Sequence, residues 1–256
     1  MKASFFHKIF RSSWPAMSLF GAMALCLELI VQAQIVPDYL LASPSQVANA
    51  LWLQSDAFRT AFSETLLSTI LGFGASTIVG SLLALGLARF ELLSKAVFPF
   101  SVLFQTVPIV AVAPLLVVWF GFGSRTVQIC SFIVSIFPIL ANVLAGLNQT
   151  PKSLLELFQS YRATPNQILW HLRVPLAIPY LIAGMEISAG LAVIGSIIGE
   201  FVAGSGLGSL IDSARTQQRV DLMFGAILLA SLLGVSLIVL IRGLKVLFKR
   251  YFETIT

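Results

Sequence analysis

The chain has 256 residues, of which 57% are hydrophobic and only 11% charged. A soluble domain of this size carries about 25% charged residues, so the composition excludes an ordinary soluble enzyme and points to a membrane protein. The net charge of +5 is then no sign of nucleic-acid binding; where the basic residues fall matters more. Cys26 and Cys130 both lie inside apolar runs and read as buried core thiols rather than a disulfide or metal pair. His7 and His171 are too few for a histidine-based metal site.

A spanning helix needs about 20 apolar residues, and six stretches offer that. They are Trp14 to Val36 (interrupted by Glu28), Leu66 to Ala88, a stretch within Ala96 to Gly123, Thr126 to Leu147, Ile178 to Phe201, and Leu222 to Ile241. No low-complexity linker divides them. Residues 14–248 therefore read as one integral domain between short segments at 1–13 and 249–256. The first run follows Lys2, Lys8 and Arg11, and Val31-Gln32-Ala33 would pass as a weak signal-peptide cleavage site. Its length, and the five spans that cutting would leave, favour an uncleaved helix.

Six spans put both ends on one side. With the ends inside, the inner segments hold twelve lysines and arginines, against four outside: Arg59, Arg125, Arg215 and Arg219. That excess sets both termini, and the segment between the fourth and fifth spans (about residues 148–175), in the cytoplasm.

After the first span, Val36 to Gln46 reads as an extended outer loop, with Ser45 as the cap of a short helix through Leu53. The third span carries Pro99, Pro108 and Pro114, with Gln105 and Thr106 just before the middle one. Proline breaks of this kind survive in a membrane where neighbours or a wet cavity satisfy the freed carbonyls. A packing kink and a pore lining are both open readings.

No phosphate-binding loop with its lysine is present. Gly121 to Arg125 and Gly204 to Gly208 are glycine-rich but lack the lysine, and both fall outside. No strand precedes Gly204, so it opens no dinucleotide fingerprint. The Asn148-Gln149-Thr150 sequon falls in the cytoplasm. No nucleophile elbow or carboxylate pair appears. The expectation is a chain with no catalytic residues, no metal and no cofactor of its own, unable to hydrolyse ATP alone.

The polar stretch from Glu156 to Trp170 stands out between long apolar runs. Glu156, Gln159 and Arg162-Ala163 fall on related helical spacings beside Leu154, Leu155, Leu157 and Phe158. Thr164-Pro165 stops that helix and starts another, with Thr164 as cap and Pro165 at its first position. Ile168, Leu169 and Leu172 mark the second piece's apolar side. Two short helices joined by an elbow would move as one lever, while an amphipathic loop lying on the lipid surface is the plainer alternative.

Glu156 to Ala163, followed by Ile168, Val174-Pro175 and Ile178-Pro179, resembles the cytoplasmic coupling motif of ABC importer permeases, which reads E-A-A, three residues, G, and a later I-x-L-P. The likeness runs through nearly the whole chain. Ser43 to Val47, Pro114 to Gly123, Gly199-Glu200-Phe201 and Gly206-Leu207-Gly208 resemble the type I nitrate, sulfonate, taurine and thiamine-precursor branch.

The resemblance implies an all-α membrane protein with six transmembrane helices and a cytoplasmic coupling loop between the fourth and fifth spans. Glu156, Leu157, Phe158, Tyr161, Arg162, Ala163, Thr164 and Pro165 would seat against a separate ATP-binding subunit, which would bind the ATP. A second permease copy, as homodimer or heterodimer, and an external solute-binding protein complete the implied assembly in a bacterial inner membrane. Three departures stand out. Leu157 and Phe158 replace two alanines, Arg162 occupies the glycine position, and Glu186 stands where relatives carry a basic residue. At the glycine position, either the turn is ordinary helix or Arg162 itself contacts the ATPase.

A charge inside the bilayer usually faces the protein interior. Glu28 and Glu186 therefore read as partners of polar neighbours, and Glu200, beside the glycine cluster, as a gate or structural pair. The candidate path or gate residues are Gln105, Pro108, Asn142, Ser196 and Glu200. Cargo resembling a thiamine precursor (hydroxymethylpyrimidine) or riboflavin is expected, with nitrate, taurine or alkanesulfonate as alternatives. An ion-gradient-driven carrier or channel, and a membrane scaffold without transport, are the rival classes.

Overall fold

The computed structural model describes residues 18–37, 40–89 and 106–253, with side chains as far as residue 245. Among these residues every regular element is helical: α1 (Ser18–Gln32), α2 (Pro44–Leu53), α3 (Ser55–Leu87), α4 (Ile109–Phe120), α5 (Ser124–Asn148), α6 (Lys152–Ser160), α7 (Pro165–Ile168), α8 (Val174–Ala203), α9 (Gly206–Thr216) and α10 (Val220–Glu253). Four stretches are long and apolar enough to cross a membrane: α3, α5, the run Pro165–Ala203, and α10 over Val220–Lys245. They match the second, fourth, fifth and sixth spans expected from the sequence. The first and third expected spans appear as the shorter apolar helices α1 and α4; Pro99, Gln105 and the start of the first span lie outside the described residues.

The chain forms two compact units. In the first, residues 18–59 and 210–228, α1 and α2 meet through Glu28. Its carboxylate accepts from Gln32 Nε2 at 2.8 Å, Ser45 N at 3.0 Å and Ser45 Oγ at 2.6 Å. The pairing expected of Glu28 is thus present, and it changes the role of Ser45. Ser43, not Ser45, caps α2: its Oγ accepts from Gln46 N while Gln46 Oε1 accepts from Ser43 N, a reciprocal capping box. Pro44 then takes the first helical position, where its missing N–H costs nothing. Cys26 is exposed and only Cys130 is buried. The expected buried thiol therefore holds for Cys130 alone.

In the second unit, residues 60–209 and 229–253, α5 and α8 pack backbone to backbone. A Cβ added at Gly195 would lie 2.8 Å from the Cys130 carbonyl oxygen and 2.9 Å from Ser131 Cα. Only a small residue admits that approach, the usual device where the surrounding solvent is as apolar as the side chains. Hydroxyls cross the seams: Ser131 to the Ala192 carbonyl at 3.0 Å, Ser188 to the Ser135 carbonyl at 2.7 Å, Ser135 to Ser76 at 2.9 Å, and Thr69 to Ser196 at 2.8 Å. Ile139, Leu140, Val143, Leu144 and Leu147 of α5 are buried with Ala84, Leu169 and Ala177. That cluster anchors the foot of α8.

Candidate functional site: an exposed elbow and a buried carboxylate clamp

The helix α6 and its C-cap carry an apolar face that no described residue of the same unit covers. Leu157 is 49% and Tyr161 81% exposed. Beside them a cavity of about 540 Å³ is lined by Leu157, Phe158, Tyr161, Ala163, Gln167 and His171. Glu156 is exposed on the same helix. The helix ends at Ser160, so the helical spacing read from the sequence does not extend to Arg162 and Ala163.

The ending itself explains the motif's glycine. Ala163 N donates to the Phe158 carbonyl at 3.0 Å and Arg162 N to the Gln159 carbonyl at 2.8 Å, the paired bonds of a Schellman motif. Such a motif places its C′ residue in the left-handed region, and Arg162 has φ +54°. The turn is therefore not ordinary helix, contrary to one of the two sequence readings. Arginine carries a strain there of about 1–2 kcal/mol that glycine would not.

The chain restarts at once. Thr164 Oγ1 accepts from Gln167 N at 3.4 Å, and Gln167 Oε1 accepts from Thr164 N at 2.8 Å, with Pro165 at the first helical position. After one turn of α7 the backbone widens into a π-helical segment, Leu169–Arg173. Pro175 supplies the reason: it has no N–H for the His171 carbonyl, and its ring crowds that oxygen. Val174 N instead reaches back to the Leu169 carbonyl. Leu169 and Leu172 are buried, which confirms the apolar side of the second piece, and Leu169 packs in one cluster with Ala177 of α8.

The second candidate region is the start of α9. Its first three amides are each met by a side chain: Gly206 N donates to Glu64 Oε2 at 2.8 Å, Leu207 N to Thr65 Oγ1 at 2.9 Å, and Gly208 N to Glu200 Oε2 at 2.8 Å. A helix N-terminus leaves such donors unpaired, and Glu64, Thr65 and Glu200 supply the acceptors. Glu200 is 1% exposed. Gly206 has φ +66°, and a Cβ there would collide with the Glu200 carboxylate, so glycine is required on both counts.

The remaining expected path residues are spread along the second unit. Pro108 sits at the N-cap position of α4 and lines an apolar cavity of about 600 Å³ with Thr106, Val110, Ile133, Phe137 and Leu191. Ser196 is fully buried, accepting from Thr69. Asn142 Nδ2 donates to the Pro138 carbonyl at 2.8 Å. The structure does not gather these side chains at one point, and Gln105 lies outside the described residues. Glu186 has Arg242 at 3.9 Å, a loose pair of the expected kind. Sequence reasoning missed Glu64 and Thr65 altogether. The available signal was a lone carboxylate directly before an uncharged apolar run, and its partners lie 142 residues away.

Apolar helices long enough to span a membrane and a hydroxyl-laced small-residue core define a polytopic membrane protein. Residues 76–253 match the family model described as "binding-protein-dependent transport system inner membrane component". The chain is 34% identical over 220 residues to the formylaminopyrimidine transport permease protein ThiX of Halalkalibacterium halodurans, covering 85% of this chain and 88% of that one. It is 34% identical over 248 residues to the riboflavin transport system permease protein RibX of Chloroflexus aurantiacus (94% and 92%). A probable ABC transporter permease protein of Haemophilus influenzae is 32% identical over 210 residues (82% and 86%). The fold resembles a chain of the MetNI methionine ABC transporter in an inward-facing conformation, at TM-score 0.55 and 21% identity, covering 76% of this chain and 97% of that one. The chain belongs to the binding-protein-dependent transport system inner membrane component family: it is an ABC importer permease subunit.

Proposed function

We propose that the elbow from Lys152 to Arg173 is the coupling loop on which a separate ATP-binding subunit docks, and that the permease is a six-span protein with both termini in the cytoplasm. The observation that carries this is the apolar, exposed face of Leu157 and Tyr161 beside its cavity, on an elbow packed against α8 through Leu169. A partner that grips that face moves α8 directly. A second permease copy would complete the path, and an external solute-binding protein would deliver the cargo. Nucleotide stays with the partner, so this chain needs no cofactor.

The path would involve the Pro108 cavity, Gln105, Asn142 and Ser196, with Glu200 holding α9 as part of a gate. A pyrimidine thiamine precursor or a riboflavin-like molecule is the preferred cargo. That reading rests on the names of two relatives, a formylaminopyrimidine and a riboflavin transport permease. Nitrate, taurine and alkanesulfonate are the competing solutes for an uptake assay.

Glu156→Lys and Arg162→Glu should each leave the chain inserted while abolishing both uptake and retention of the ATP-binding subunit on a tagged permease. Wild-type uptake in both variants would refute the docking assignment. Uptake that survives vanadate and collapses with an uncoupler would favour an ion-gradient-driven carrier instead.

A further inference from the structure

The elbow has a second face that the proposed docking leaves free. Leu155 and Gln159 are one turn apart on α6, on a different side of the helix from Leu157 and Tyr161. They border a cavity of about 520 Å³ whose other walls include Ala88, Arg89, Asn166 and Arg173. Two guanidiniums thus share one cavity, and no carboxylate lines it among the described residues. Arg89 Nη2 donates to Asn166 Oδ1 at 2.8 Å, which holds that side chain at the rim. Among the described residues the buried Arg173 Nε has no acceptor, and a buried charged donor left unpaired is among the costlier defects a fold can carry. The π-helical segment brings Arg173 to this place, and such segments recur at functional sites.

We propose that this cavity binds the phosphate headgroup of an anionic phospholipid, with Arg89 and Arg173 as its cationic ligands. Its position argues for a lipid over a free anion. Arg89 lies two residues beyond the end of the spanning helix α3, and Arg173 directly precedes the 30-residue apolar helix α8, so the guanidiniums sit where two long apolar helices end and begin. Ala88, Leu155, Ile168 and Leu169 supply apolar wall beside the charge, which suits a headgroup that continues into acyl chains. Basic pockets between spanning helices are the recurring form of headgroup recognition. A lipid held there would bridge the end of α3 and the elbow, and so would tune how freely the elbow swings.

The test uses the full-length chain purified in a non-ionic detergent. Dioctanoyl phosphatidylglycerol, dioctanoyl phosphatidylcholine and inorganic phosphate are titrated separately, with binding read by native mass spectrometry and by thermal shift. The expected result is saturable binding of phosphatidylglycerol, tighter than either control. Arg89→Gln and Arg173→Gln should each weaken it about fivefold, the loss of one juxtamembrane cation. Arg242→Gln, an exposed cation outside the cavity, should leave it unchanged. Arg89 is exposed at a helix end, so Arg89→Gln keeps the test valid if Arg173→Gln fails to fold. Equal binding of phosphatidylcholine, phosphate binding as tight as the lipid, or unaltered binding in Arg89→Gln would each overturn the proposal. No partner subunit enters this experiment, so its outcome is separate from that of the docking assay.

Discussion

The elbow and the α9 clamp solve the same problem, the unpaired groups at a helix end, in opposite ways. At the clamp, three successive amides are met by Glu64, Thr65 and Glu200. Everything that end needs is supplied from within. At the elbow, backbone bonds close the turn, a left-handed arginine stays in a conformation it resists, and Leu157 and Tyr161 are left in the open. A helix end completed internally needs nothing from a partner. One left apolar and strained makes sense when a partner completes it.

Substitutions sharpen the contrast, since the clamp should respond through stability and the elbow through assembly. Glu200→Ala should cost most. It strips Gly208 N of its buried acceptor, and an unsatisfied buried amide plus the lost packing amounts to about 2–4 kcal/mol. The check is a lowered melting temperature of the purified chain; an unchanged melt would show that the clamp bears no load. Gly195→Val drives a side chain into the Cys130 and Ser131 backbone and should cost about 1–3 kcal/mol, read the same way.

At the elbow the expected stability changes are smaller. Thr164→Ala removes the cap of α7 and should cost about 1 kcal/mol, visible as faster amide exchange over residues 164–168. Smallest is Arg162→Gly. It relieves left-handed strain of about 1–2 kcal/mol but adds the chain entropy of glycine, for a net gain below about 1 kcal/mol. A chain that melts slightly higher yet holds its ATP-binding subunit less well would show that Arg162 also touches the motor. Unchanged or improved retention would leave strain as the whole effect.

Much of this was legible beforehand because local rules carried it. Thr164-Pro165 announces a capped helix start, and the apolar runs announce the four long helices. Ser43 escaped because two serines flank Pro44 and only the contact with Glu28 shows which is engaged elsewhere. The turn at Arg162 stayed undecided because a side chain does not reveal a positive φ; the bond pattern of the turn does. Glu64, Thr65 and the pairing of Arg89 with Asn166 depend on residues far apart in the chain. No periodicity reports them.

The most direct test of the account is site-specific photocrosslinking in cells that express the whole transporter. A photoreactive residue at Tyr161 is compared with one at Trp119, another exposed aromatic. The account predicts an adduct between this chain and the ATP-binding subunit from position 161 and none from position 119. That adduct forming from 119 while 161 yields only unlinked chain would contradict it.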